Sequence, residues 1–288
     1  MTSLVIRYSS MGDIVLTAAV TEALAPVIFL TLERYAELAA ALPGVVEVRT
    51  HERFGNKPFS GVEQIIDLHR SPRSRMATLG ARVPIRRIDR FDLRRRARVA
   101  LKWDPAPPVV DRYAAAAGVA AAPGPWFPAA DGDALLLFPA AAHSTKRWPI
   151  ERFVVLAQRW TGPVIAMGGR DDRALLEQLT RAVGSKVEIV AEAGFQQTLN
   201  AIRQGRVAVG GDTGLTHLAA ASGVHTIPIF GPTHSNDGFW SHPYPAIEVD
   251  LECRPCTRHG GDRCPIGDFA CMAHISVDQV WAAVEAVG

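Results

Sequence analysis

Cysteine is missing from the first 252 residues of this 288-residue chain, then occurs four times, at Cys253, Cys256, Cys264 and Cys271, spaced C-x2-C-x7-C-x6-C. This distribution excludes a disulfide framework spread over the fold. It favours a structural zinc or iron–sulfur site in a tail, with late disulfides or free thiols as the other reading. Long apolar runs are also lacking: none approaches the roughly 18 residues that span a bilayer. The opening MTSLVIRYSSMGD has no charged stretch followed by a long apolar one, so the expected location is the cytoplasm. No GxxxxGK[ST] occurs, which excludes a P-loop, and no GxGxxG is followed by an acid about 20 positions on, which argues against a dinucleotide-dependent oxidoreductase. Helix-turn-helix, aromatic ribonucleoprotein and zinc-finger patterns are absent too, so no nucleic-acid partner is expected. Acids are scarce in one place: residues 70–102 hold 12 Lys or Arg against Asp89 and Asp92, although the whole chain carries only +2. That segment is either a solvated Arg-rich surface or a contact for something anionic, such as a phosphorylated glycan or an acidic membrane face.

With 48% hydrophobic residues the chain can bury a large core. From residue 134 short apolar runs alternate with helical patterns: ALLLF then ERFVVLAQRW, PVIAMGG then DDRALLEQLTRAV, VEIVAE then QQTLNAIRQG, VAVGG then LTHLAAASG, and HTIPIF. That alternation predicts βαβ units on a parallel sheet covered on both faces. The first half repeats the theme more loosely, from LVIRY to QIIDLH. Pro-, Ala- and Gly-rich stretches between the halves place a boundary near residue 130. The expected architecture is therefore α/β, with two Rossmann-like, doubly wound domains at 1–130 and 131–288.

Ligands of such sheets bind beyond the carboxyl ends of the strands, and three loops there carry polar residues. In the first, YSSMGD, Gly12 permits a tight turn, and Asp13 either caps the following helix or acts as a general base. In the second, HSTKRWP, Lys146 and Arg147 precede a helix expected to begin near Trp148. Cations there are unfavourable unless an anion lies between, so they either bind phosphate with Ser144 and Thr145 or point into solvent. In the third, GGDTGLTH, Asp212, Thr213 and Thr216 either cap a helix or bind a ligand, and His217 either lies on a helix face or joins the site.

RYSSMGDIVLT, IDLHRSPRS, HSTKRWPIERF, VGGDTGLTHLAAASGVHTIPIFGPT and the terminal CRPC…C…CM together resemble glycosyltransferase family 9, the ADP-heptose:lipopolysaccharide heptosyltransferases. The resemblance implies a GT-B architecture with two domains facing across a cleft. It also implies inverting transfer without a catalytic metal, so no cofactor is required. The implied donor is ADP-heptose or another nucleotide sugar, and the implied acceptor a lipid-linked or phosphorylated glycan met at the inner membrane face. Catalytic roles are implied for Asp13 as base and Lys146 at the diphosphate. Donor contacts are implied for Ser144, Thr145, Lys146, Gly211, Asp212, Thr213, Gly214, Leu215 and His217, and acceptor contacts for Ser10, Gly12, Asp13, His69 and Arg70. Rival readings are a transferase for a different sugar or a non-lipopolysaccharide glycan, and a catalytically silent GT-B binding module.

Overall fold

Strands buried on both faces need apolar residues at nearly every position, not at alternate ones, and the inner strands of two sets come close to that demand. In a computed structural model that describes residues 1–54, 59–238, 240 and 242–287, the first set is β1 (Ser3–Ile6), β2 (Val27–Thr31), β3 (Val45–Thr50), β4 (Gln64–Asp67) and β5 (Ile85–Arg87). All pair in parallel in the order β3-β2-β1-β4-β5. The second set is β6 (Ala134–Phe138), β7 (Val164–Gly168), β8 (Val187–Ala191), β9 (Gly205–Gly211), β10 (His225–Phe230) and β11 (Ile247–Glu248). It is again parallel, in the order β11-β10-β9-β6-β7-β8.

Both sheets are doubly wound. The chain moves outward from β1 to β3 and from β6 to β8, then jumps back to the far side of the starting strand. Strand order therefore reverses between β1 and β4 and between β6 and β9, the two places where such sheets open a crevice. The helices cover the sheets for the expected reason. In Ile150–Arg159 the apolar Phe153, Leu156 and Ala157 share one face and are buried, and burial of a side chain the size of Phe or Leu stabilises by about 1.5–3 kcal/mol. Helix Val109–Ala117 stops because Gly118 takes a left-handed conformation, φ 72°, and its N–H closes on the Ala114 carbonyl at 2.8 Å.

By its contacts the chain divides into one unit of Met1–Phe91 with Pro107–Phe127 and another of Asp92–Ala106 with Pro128–Gly288. Asp92–Ala106, which precedes residue 130 in the sequence, thus packs with the second sheet's unit. Among the described residues no helix is long and apolar enough to cross a membrane.

Candidate active site

In the first unit the strand reversal brings the ends of β1 and β4 together. Asp13 lies in the first turn of helix Met11–Leu16 and does what a capping aspartate does: Ser10 donates to its Oδ2 from the backbone N–H, 3.0 Å, and from Oγ, 2.8 Å. Its other oxygen, Oδ1, is 2.7 Å from Nη2 of Arg7, with both side chains largely buried. Burial alone would raise the Asp13 pKa. The Arg7 charge, with the Ser10 hydrogen bonds, outweighs it and holds the carboxyl below its ordinary value. Arg7 is fixed in turn by donating to the Leu68 carbonyl at 2.6 Å and lying over the Tyr113 ring at 5.9 Å. Tyr113 is fully buried, and its hydroxyl donates to the Asp13 carbonyl at 3.4 Å.

Asp67, at the end of β4 and fully buried, organises the neighbouring loop. It accepts the backbone N–H groups of His69 at 3.1 Å and Arg70 at 2.7 Å, and the Ser74 hydroxyl at 2.8 Å. The His69 ring packs edge-on against Tyr8, and burial followed by the Arg7 charge pushes its pKa down to about 4. It is therefore neutral at pH 7. Arg70, Arg75 and Arg87 line a cavity of about 420 Å³ beside this loop. Gly12 lies buried within the helical turn that carries Asp13.

In the second unit the reversal joins the ends of β6 and β9. Lys146 Nζ donates to Asp212 Oδ2 at 2.6 Å across 66 residues of sequence. His217 Nε2 lies 3.5 Å from Asp212 Oδ1, and Thr233 Oγ1 donates to Oδ2 at 3.5 Å. Burial would raise the Asp212 pKa, but Lys146 and His217 overcome it and drive the pKa well down. His217 is buried and shares a 3.2 Å contact between its Nδ1 and Nε2 of His242, whose own pKa burial and His217 lower to about 2. Trp240 packs on both imidazoles. Asp212 leads into helix Gly214–Ala221, whose N-cap, Thr213, makes no side-chain cap. The first amides of that helix, from Gly214 and Leu215, closely follow Asp212 in the chain and receive no side-chain cap from Thr213. Glycine is required where the strands crowd: a Cβ on Gly211 would sit 2.8 Å from the Lys146 carbonyl, and one on Gly210 2.8 Å from Phe138 Cβ.

The HSTKRWP loop differs in detail from its sequence reading. Ser144–Lys146 forms its own short 3-10 turn, and the following helix begins at Ile150 behind Pro149. Trp148 is buried against Phe153 instead of starting the helix, with its Nε1 donating to the Ile275 carbonyl. The Ser144 and Thr145 hydroxyls donate to the carbonyls of Asp262, 3.0 Å, and Gly261, 2.7 Å, and the Gly261 N–H returns a bond to Thr145 at 2.9 Å. They fasten the C-terminal tail to the Lys146 turn. Gly260, at φ 100°, comes so close that a Cβ there would lie 2.9 Å from Lys146 Cδ. Thr216 is likewise engaged, donating to the Gly211 carbonyl at 2.6 Å.

The four cysteines, the candidates for a zinc or iron–sulfur site, all lie in the C-terminal part of the second unit. All are free thiols, and among the described residues no group of three or more His, Cys, Asp or Glu is placed to hold a metal ion. Arg254 ties this segment down. Its side chain is 2% exposed, and its guanidinium bonds Glu248 at 2.7 Å and the carbonyls of Gly231 and Thr233 at 2.5 and 2.8 Å. Burial raises the Cys271 thiol to about 11 and raises Cys256 as well, and the neighbouring cysteines push both in the same direction, so the thiols lie within electrostatic reach of one another.

A sequence model of glycosyltransferase family 9 (heptosyltransferase) matches residues 101–263, more than half of the chain, and that span holds Lys146, Asp212 and His217. The chain belongs to glycosyltransferase family 9. Its fold is that of solved members. The E. coli ADP-heptose LPS heptosyltransferase II structure superposes with a TM-score of 0.76 at 18% identity, over 100% of this chain and 98% of that one. The E. coli heptosyltransferase WaaC with ADP gives 0.71 at 17%, covering 100% of both chains. The iron-containing dodecameric glycosyltransferase TibC, from enterotoxigenic E. coli H10407, gives 0.65 at 14% over 99% of this chain and 75% of its own. A search of curated proteins finds no match. This family-9 glycosyltransferase is thus an enzyme of the GT-B fold, with Rossmann-like units whose site loops sit at strand reversals. Sequence reading missed Arg7, Asp67, Tyr113, Thr233, Trp240, His242 and Gly260. Only Arg7 left a usable signal, as a cation directly after a strand buried at every position.

Proposed function

We propose that the enzyme transfers a heptose from ADP-heptose to a phosphorylated, lipopolysaccharide-core type of glycan acceptor, with inversion and without a catalytic metal. The observation that carries this reading is the Lys146–Asp212–His217 array at the β6/β9 reversal, where Asp212 leads into the N-terminus of helix Gly214–Ala221. A cation held in a buried position next to a helix N-terminus suits a nucleoside diphosphate. The family and the ADP-heptose relatives supply the sugar.

Inversion is one displacement. The acceptor oxygen forms a bond to the anomeric carbon as the bond from that carbon to the diphosphate oxygen breaks, and the electron pair leaves with ADP. The acceptor proton goes to Asp13. That carboxylate is ionised across the working pH range, and its Oδ1 has lone-pair capacity for a hydroxyl, with Arg7 holding its orientation. A low pKa makes Asp13 a weak base. It takes the proton once bond formation has acidified the hydroxyl, so transfer is late and coupled to departure of the diphosphate. Lys146 and the Gly214 and Leu215 amides receive the charge that develops on ADP, the task a divalent ion performs in other transferases. Asp212 orients Lys146 and accepts from the sugar hydroxyls. On the acceptor side, His69 is neutral and Arg70, Arg75 and Arg87 line an electropositive cavity, which suits a phosphate or carboxylate on the glycan.

The test is nucleotide release from ADP-heptose, UDP-sugars and GDP-sugars with truncated core acceptors, with and without chelator. Release from ADP-heptose alone, indifferent to chelator and reduced about 100-fold or more in Asp13→Asn, is expected. Wild-type turnover by Asp13→Asn would remove the base assignment, and chelator inhibition would remove metal independence.

A further inference from the structure

Helix Asp92–Leu101 is amphipathic the wrong way round for a helix docked on a core. None of its residues is buried. Its most exposed side chains include Leu93, 83%, and Leu101, 60%, and Trp103 just beyond is 60% exposed. At about 100° per residue Leu93, Ala97, Ala100 and Leu101 fall on one arc, with Arg96 along one edge and Arg94 along the other. Arg94, Arg96 and Ala100 are exposed as well.

Apart from Arg94, whose Nε donates to the Asp104 carbonyl at 3.3 Å from the edge of the stripe, the contacts that hold the segment lie away from the stripe. Arg98 pairs with Asp237 at 3.2 Å and donates to the Trp103 carbonyl at 3.2 Å. Asp92 lies 3.6 Å from Arg258, and Lys102 Nζ donates to the carbonyls of Cys253 and Pro255 at 2.9 and 2.8 Å. The helix is therefore fastened to the second unit by ion pairs and carbonyl bonds, and presents its apolar stripe to solvent.

We propose that this stripe is an interfacial anchor for an anionic lipid surface: Leu93, Leu101 and Trp103 enter the acyl boundary while Arg94 and Arg96 meet acidic headgroups. An apolar strip edged by arginine, with a tryptophan at its end, has the chemistry of a helix lying in the plane of a membrane. A second copy is disfavoured as occupant, because a twofold mate would bring arginine edges against each other. As a place to meet a lipid-linked acceptor this rests on the transfer reading above; as a lipid contact it rests on the helix alone.

The full chain is floated with vesicles of phosphatidylglycerol and phosphatidylethanolamine, and with phosphatidylcholine vesicles as comparison. Binding to the anionic vesicles only is expected, with tryptophan fluorescence quenched by brominated lipid. The triple variant Leu93→Ser, Leu101→Ser, Trp103→Ser is expected to lose binding on the order of 100-fold, and Arg94→Gln with Arg96→Gln roughly 10- to 30-fold. Both variants are expected to keep the wild-type circular dichroism spectrum and turnover with a soluble acceptor. Failure of the wild type to float, or flotation of the triple variant at wild-type affinity, overturns the proposal. So does a wild-type dimer that the triple substitution dissolves. Lost flotation with intact release from ADP-heptose sinks only the anchor; intact flotation with no donor turned over sinks only the transfer reading.

Discussion

Replacing Lys146 by Met removes one charge from a pair whose side chains are 12% and 14% exposed and 2.6 Å apart. A hydrogen bond to a charged group contributes about 1.5–3 kcal/mol, and stranding a buried partner carries the loss toward about 3–5 kcal/mol. Asp212 would keep His217 and Thr233, each at 3.5 Å, so the expected cost is about 3 kcal/mol for Lys146→Met and about 2 kcal/mol for Asp212→Asn. The double variant should cost about 3 kcal/mol, not the sum, which leaves a coupling of about 2 kcal/mol in guanidinium denaturation. The pH dependence sharpens the test. In the wild type the Asp212 pKa is depressed, so its contribution is complete above the unfolded value near pH 4 and fades as pH falls below it. Without Lys146 burial prevails and raises that pKa, so the folded state binds the proton more tightly and the variant gains stability on acidification. Activity should fall about 100- to 1,000-fold in kcat/KM. Costs additive to within about 0.5 kcal/mol, together with an unchanged pH slope, would refute the pairing as an energetic unit.

Two further outcomes follow from the same geometry. His69 has its pKa lowered to about 4 by burial and by Arg7, so the unfolded chain binds more protons between that value and the unfolded value of about 6.5. Stability should rise with pH across this window, and His69→Gln should flatten that part of the profile; the same slope in the variant would rule the assignment out. Gly260→Ala adds a Cβ 2.8 Å from His143 Cβ and 2.9 Å from Lys146 Cδ at a φ of 100°. It should destabilise by about 1–3 kcal/mol and raise the donor KM by displacing Lys146. An unchanged KM with lowered stability would confine Gly260 to folding.

The fold was legible because its central strands are short, largely apolar and punctuated by helices, a pattern that a parallel, doubly covered sheet satisfies. The loops holding Asp13, Lys146 and Asp212 were legible because glycine, hydroxyl and charge gather where such a sheet opens. What stayed hidden depends on strand order, which no local pattern encodes. Lys146 and Asp212 are 66 residues apart and meet only because β9 lies beside β6. Asp13 could be read as a cap or as a base, and the structure shows why: one oxygen caps and the other faces Arg7. The hydroxyls of Ser144 and Thr145 read as phosphate ligands because their partners, Gly261 and Asp262, lie far away in sequence. The cysteine spacing left hidden how that segment is tied down, because Arg254 reaches its partners across the fold.

The fastening of the Lys146 turn by Gly260, Gly261 and Asp262 has a consequence in time. Thr145 and its partner carbonyl are separated by 116 residues. At synthesis rates of roughly 5–20 residues per second the ribosome needs on the order of ten seconds to travel between them. The first unit's sheet, and most of the second's, can be assembled while the lysine still lacks its clamp. A nascent or truncated chain that ends before residue 260 should therefore fold its sheets and yet leave the Lys146 turn unclamped, so that the competence to bind nucleotide proposed for it arrives only with the C-terminal segment.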